Sequence, residues 1–273
     1  MKFRRLHATL LFVCDITKAS FVFIRMLPPS AFQRKALYYS FLLSYSNYVQ
    51  FPQNRLTIDI DQEFGARNLA NKDLRDWINE IETAGELHKI SGAEPKQDIG
   101  GIVDIVQRKM GNPALMFDDI PGFPKGHRVL SNLVTSTPRI NLALGLPADV
   151  SEMELVQWWR SYMTEAPSIP PTQVNGGALL ENVMEGSDVD LTTIPTPIWH
   201  EHDGGHFIGT ACMVVMKDPE TDWINYGAYR VQVQGPDTAT LMMSPGKHGR
   251  LIMEKYHKRG EPCPVAAVFG MHP

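Results

Sequence analysis

The residues with the most chemistry in this 273-residue chain lie between Asn225 and Arg250. Asn225-Tyr226-Gly227-Ala228-Tyr229-Arg230 is followed, after an extended stretch, by Ser244-Pro245-Gly246-Lys247-His248-Gly249-Arg250. Together they offer an amide oxygen, an imidazole and three cations, Arg230, Lys247 and Arg250. A bound phosphate with a divalent cation needs such groups: oxygen and imidazole ligands for the metal, point charges and glycine-freed backbone for the anion. The first expectation is a phosphorylated cofactor. Arg230 has a further use, because a planar guanidinium can give a carboxylate two parallel charge-assisted hydrogen bonds.

The elements that must position these groups follow from spacing. Residues 223–234 alternate as a strand, which puts Asn225 and Arg230 on opposite faces unless the strand is irregular near Gly227. Gly235-Pro236-Asp237 reads as a turn, and residues 238–244 as a second strand that closes a hairpin and brings Asn225 near His248. The residues alone leave open a plain hairpin whose Asn, Arg and His are solvated. Upstream, the chain alternates helices and strands. Leu74, Trp77, Ile78 and Ile81 give residues 73–84 one apolar helical face, stopped by Gly85. Residues 99–110 repeat that spacing through Ile102, Val103, Ile105 and Val106. Strands are expected at 87–90, 114–117, 207–217 and 264–269, and helices in 135–146 and 151–163. Pro167 to Pro171 and Gly176-Gly177 mark a crossing into a second domain.

Taken together, Asp190-Leu191-Thr192-Thr193-Ile194-Pro195, Thr210, Lys217-Asp218-Pro219, the Asn225 to Arg230 run and Lys247-His248 resemble the UbiD family of decarboxylases. The similarity extends from about residue 74 to the end of the chain. It implies an α/β N-terminal domain at 51–170, then the first part of a split β-barrel flavin-binding domain at 171–273. It also implies non-oxidative, reversible removal of CO₂ from an aromatic or α,β-unsaturated acid. The implied cofactors are prenylated FMN, supplied by a UbiX-type flavin prenyltransferase, and Mn²⁺, with K⁺ as a second candidate cation. By that resemblance Asn225 and His248 are metal ligands, and Arg230 is the catalytic arginine of a Glu-Arg-Glu network. Thr210, Ala228, Tyr229, Arg230, Met242, Met243, Ser244, Lys247 and His248 are cofactor contacts. The third metal ligand and the two glutamates fall beyond the counterpart of Pro273. The expectation is therefore a fragment, itself inactive, or a remnant that keeps part of a flavin-phosphate and metal site. A homo-oligomer is implied for the longer form.

Residues 1–50 hold seven Lys or Arg against a single acid, Asp15, so this leader carries +6 while residues 51–273 carry −10 within a total of −4. A transit peptide, a membrane segment and a spurious extension all compete for it. Its apolar runs are too short for the roughly 20 residues of a span, which disfavours the membrane reading. The compartment expected is the cytoplasm, or the mitochondrion if the leader is a transit peptide. Three cysteines, Cys14, Cys212 and Cys263, fit neither a disulfide framework nor a metal motif. The main region has no basic stripe for nucleic acid. His200-Glu201-His202-Asp203 with His206 could suggest zinc, but the Asp203-Gly204-Gly205 interruption favours a loop beside the active site. Trp158-Trp159 is expected in core or interface packing, and Cys212 as a buried small hydrophobe.

Overall fold

The computed structural model describes residues 22–26, 73–166, 170, 175 and 182–273. The Pro- and Gly-rich crossing at 167–177 and the leader's apolar runs lie almost wholly outside these residues.

The N-terminal module begins at Asp73. Its carboxylate accepts hydrogen bonds from the amides of Arg75 and Asp76, and the Asp76 carboxylate accepts one in turn from the Asp73 amide. This reciprocal cap starts helix α1 (Leu74–Thr83) and contributes about 1 kcal/mol. Strand β2 (Leu87–Ser91), helix α2 (Asp98–Gln107) and strand β3 (Ala114–Asp118) follow as a βαβ unit with β2 and β3 parallel. Strand β4 (Val129–Ser131) pairs antiparallel with β3, so β3 is central. A central strand is covered on both faces, which explains its unbroken apolar run. Leu115 and Phe117 pack beneath Ile99 and Val103 of α2, while Ala114 packs with Leu74, Trp77 and Ile81 of α1. Each large side chain so buried contributes about 1.5–3 kcal/mol.

Helix α3 (Thr137–Ala143), capped by Ser136, and helix α4 (Glu152–Glu165), capped by Ser151 with Glu154, complete this module. Arg139 on α3 is fully buried. It donates to Glu86 Oε2 at 2.6 Å, to Asn112 O at 2.7 Å and Oδ1 at 3.0 Å, to Thr135 Oγ1 at 2.7 Å, and to the carbonyls of Asn132 and Leu133. Of the core or interface packing expected for Trp158 and Trp159, the core part is corrected: α4 buries none of its residues, Trp159 is 45% exposed, and Trp158 stacks locally on Tyr162. Amphipathic spacing along α4 is weak, which leaves Trp159 on the rim of an apolar groove with Val134, Ile140 and Leu155.

The second module contains two antiparallel sheets. One has the order β1 (Val22–Met26), β10 (Val265–Phe269), β6 (Met213–Lys217), β7 (Ile224–Gly227). The other has β5 (Phe207–Gly209), β8 (Val231–Gly235), β9 (Thr238–Leu241). Neither is closed among the described residues. One edge strand, β1, comes from the basic leader and runs along β10 from Val22 opposite Phe269 to Met26 opposite Val265. Val214 and Met216 of β6, Val231 of β8, Val265, Ala267 and Phe269 of β10 and Ile252 of helix α5 (His248–Lys258) share one core with Val189, Leu191 and Cys212. Helix α5 and strand β4 carry no expectation from the sequence reading.

Two single strands expected from spacing are each two strands. The stretch 207–217 is β5 and β6, and 223–234 is β7 and β8. At each break, residues 210–212 and 228–230, the chain leaves one sheet for the other. The strand after Asp237 is also shorter than expected, ending at Leu241. Among the described residues no helix is long and apolar enough to cross a membrane.

Candidate functional site

The two sheet crossings are where the candidate residues gather. Thr210 stands in the first crossing; Ala228, Tyr229 and Arg230 form the second. The Cys212 thiol donates to Tyr229 O at 3.2 Å and ties them together. Cys212 is buried, and burial holds its thiol above the ordinary range, so it acts as core and as a strut. Tyr229 folds back over Gly227, where an added Cβ would stand 3.1 Å from the phenol ring. Its hydroxyl accepts from Gly249 N at 3.1 Å in the first turn of α5. A Cβ on Gly249 would meet that hydroxyl and the sulfurs of Met243 and Met216, so the glycine is what lets the helix start approach. Spacing alone ran as one unbroken strand through Gly227, with irregularity there only as a condition for one shared ligand; the crossing supplies that irregularity.

That break removes the problem of opposite strand faces. Asn225 lies on β7, paired with Met216, and is 6% exposed. Its Nδ2 is buried with no hydrogen-bond partner. Leaving an amide group buried and unpaired costs about 1–3 kcal/mol, so such an orphan calls for an explanation. A half turn about χ2 would present Oδ1 at the same place, as a metal requires. His248 opens α5, exposed, with its ring edge-on to Trp223 at 5.0 Å between centroids. Trp223 lies two residues before Asn225, and α5 packs against β7. Lys247, the N-cap of α5, makes no side-chain capping bond, and the Ser244 carbonyl accepts from its amide at 3.3 Å across the Gly246 turn. A helix start whose N-cap residue is a lysine suits a phosphate. Met242 and Ser244 are exposed, and Met242 N donates to Arg230 O at 3.1 Å, joining the end of β9 to the second crossing.

Arg230 is 40% exposed. Its Nη1 and Nη2 donate to Asp203 Oδ1 and Oδ2 at 2.9 and 2.8 Å, and its Cζ lies 3.6 Å above the Phe207 ring. The bidentate hydrogen bonds from Arg230 hold the Asp203 carboxyl below the usual carboxylate range. Sequence reasoning found Arg230 but assigned no role to Asp203 or Phe207; the Asp203-Gly204-Gly205 run beside the histidines was the available signal. Among the described residues no three His, Cys, Asp or Glu side chains come together as a metal-binding cluster, the 200–206 loop included.

Comparison with known proteins places this geometry. Residues 78–158 match the 3-octaprenyl-4-hydroxybenzoate carboxy-lyase N-terminal domain, and residues 172–273 match the Rift-related domain of the same carboxy-lyase. The chain belongs to the UbiD family. Among its curated relatives is a pyrrole-2-carboxylic acid decarboxylase of Pseudomonas aeruginosa, 28% identical over 76% of this chain and 43% of the relative. A phenolic acid decarboxylase of Escherichia coli O157:H7 is 31% identical over 75% of this chain and 44% of its own. Among solved structures, the vanillic acid decarboxylase of Sedimentibacter hydroxybenzoicus in its closed form superposes with a TM-score of 0.69 at 27% identity, covering 75% of this chain and 44% of that one. An evolved dimeric form of the UbiD-class enzyme HmfF from Pelotomaculum thermopropionicum, in complex with prFMN, gives 0.61 at 25% identity, covering 74% and 45%. The chain thus spans less than half the length of the UbiD-family relatives it matches.

Proposed function

We propose that this chain supplies the N-terminal module and the metal, flavin-phosphate and carboxylate-binding residues of a UbiD-type decarboxylase acting on an aromatic or α,β-unsaturated acid. The observation that carries the reading is the orphaned Asn225 amide, buried two residues from the Trp223 that abuts His248. An amide oxygen suits Mg²⁺ or Mn²⁺, and the imidazole tilts the choice toward Mn²⁺. In this reading Asn225 and His248 hold the metal, Lys247 and the start of α5 hold the phosphate, and Thr210, Ala228, Tyr229, Met242, Met243 and Ser244 bound the flavin. The whole lies in a split-barrel module. Prenylated FMN, when bound, supplies the electron sink that no side chain offers. Arg230 receives and orients the substrate carboxylate as a fixed cation and leaves proton delivery to a carboxyl group.

A second reading, cofactor binding without turnover, is favoured by one observation: among the described residues no three His, Cys, Asp or Glu side chains come together as a metal site. Both readings predict that the purified chain retains prenylated FMN only with Mn²⁺, measured by flavin absorbance and metal analysis. His248→Ala should lower retention about tenfold, or about 1.4 kcal/mol. CO₂ release from 4-hydroxybenzoate then separates them, and the chain alone is expected to show none. Flavin retention indifferent to metal and to His248 would break the proposal.

A further inference from the structure

The cation that receives the carboxylate in the proposed function is itself held by a loop that packs against the N-terminal module. Asp203 lies on the segment 194–206, which is rooted in the N-terminal module. Trp199 packs against the α2 and β3 core, Ile198 N donates to Pro95 O at 3.0 Å, and Trp199 Nε1 donates to Phe207 O at 3.1 Å. Gly100 on α2 lies so close to this segment that an added Cβ would stand 2.6 Å from the carbonyl oxygens of Ile198 and Trp199. Closer to the acid, Asp203 N donates to His200 O at 3.0 Å and His206 Nδ1 bonds Thr196 O at 2.6 Å. The Asp203 side chain is only 10% exposed, and Arg230 carries the exposure.

The contact geometry leaves a free edge. Asp203 takes one N–H from each terminal nitrogen of Arg230, an end-on fork, and Phe207 supports one face of the plane. A guanidinium has five N–H donors in a fixed plane, so an end-on partner leaves the Nε and outer Nη hydrogens to a second carboxylate. Among the described residues no hydrogen bond to Arg230 Nε competes for that edge.

We infer that Asp203 is the positioning residue of this site: it locks the Arg230 guanidinium over Phe207 so that its Nε edge faces an incoming carboxylate. The inference rests on the reading of Arg230 as carboxylate receptor, and the test separates the two. In the ¹⁵N-labelled full chain, with Arg230 assigned through Arg230→Lys, the Nη signals of wild type should be resolved by hindered rotation about the guanidinium bonds. Asp203→Asn, with Asp203→Ser as the second variant, should collapse them while the remaining backbone spectrum persists. Resolved Arg230 signals in both variants overturn the inference, whatever the ligand does. Titration with 4-hydroxybenzoate should show about a tenfold weaker Kd in Asp203→Asn. Unchanged or tighter binding overturns it as well, because Asp203 would then be a spectator or a competitor. If Arg230→Lys binds 4-hydroxybenzoate as wild type does, the receptor reading falls, and the Arg230 signals alone decide the positioning claim.

Discussion

Two arginines set the two modules apart. Arg139, in the N-terminal module, is fully buried and engages all three of its nitrogens with six acceptors. Arg230, at the second sheet crossing, is 40% exposed and has only its terminal nitrogens engaged, with one carboxylate. The first has no donor capacity left for a ligand, so it serves the fold by joining the starts of β2 and β3 to α3. The second keeps an unspent edge beside open solvent. A cation whose hydrogen bonds are saturated is architecture, and one whose fork is half used is available for binding.

The largest expected effect follows from the saturated side. Arg139→Met removes a cation from a buried network and leaves Glu86, Asn112 and Thr135 short of partners, so unfolding free energy should fall by about 3–5 kcal/mol. Chemical denaturation of the purified variant measures it. A loss near zero would mean that burial of the guanidinium offsets its hydrogen bonds, and the contrast between the two arginines would lose its energetic basis.

Arg230→Ala sharpens the comparison from the other side. It strands a mostly buried Asp203 carboxylate, so the stability cost should be about 1–2 kcal/mol, well short of that for Arg139. Affinity for 4-hydroxybenzoate should fall by at least about tenfold, while Mn²⁺ and flavin retention stay as in wild type. A variant that loses flavin but keeps carboxylate affinity would invert the assignment of Arg230 and send the phosphate there instead.

The N-terminal module was largely legible in the sequence because its signals are local. Apolar residues at helical spacing, Asp73 and Ser136 as caps, and Gly85 and Gly111 with positive φ as stops mark α1, α2 and α3 to within a few residues. The second module was legible only in its residue types. Alternation ran unbroken through residues 228–230, yet the chain changes sheets there, because the turn is set by Tyr229 folding over Gly227 and reaching Gly249, contacts that period-two spacing does not encode. Helix α5 was missed for a related reason: its apolar face is thin, and what seats it is an ion-pair cluster spread over 37 residues of sequence. The Asp203 clamp on Arg230 is 27 residues long in sequence, and only packing of the 194–206 segment on the first module makes it.

That ion-pair cluster gives the smallest expected effect and a pH signature. Asp218, buried at the end of β6, accepts from Lys255 at 2.7 Å and from the amides of Glu220 and Thr221, so α5 is pinned to the β6–β7 turn. The Lys255 hydrogen bond holds the Asp218 carboxyl below its ordinary range, and the two carboxylates hold Lys255 above its own. For a depressed carboxylate the stabilisation is complete above the unfolded value of about 3.9 and is lost as pH falls through the lower folded value. For Lys255 the contribution is complete below its unfolded value and disappears only as pH rises through the raised one. Wild type should therefore melt higher than Asp218→Asn at neutral pH, with a gap that narrows on acidification below that value and again as pH rises through the raised lysine value. The gap should be small, because Glu220 still pairs with Lys255 at 3.0 Å in the variant. Melting curves of both proteins across that range measure it. A gap that closed near neutral pH would mean that the Asp218–Lys255 pair is not what pins α5 to the β6–β7 turn.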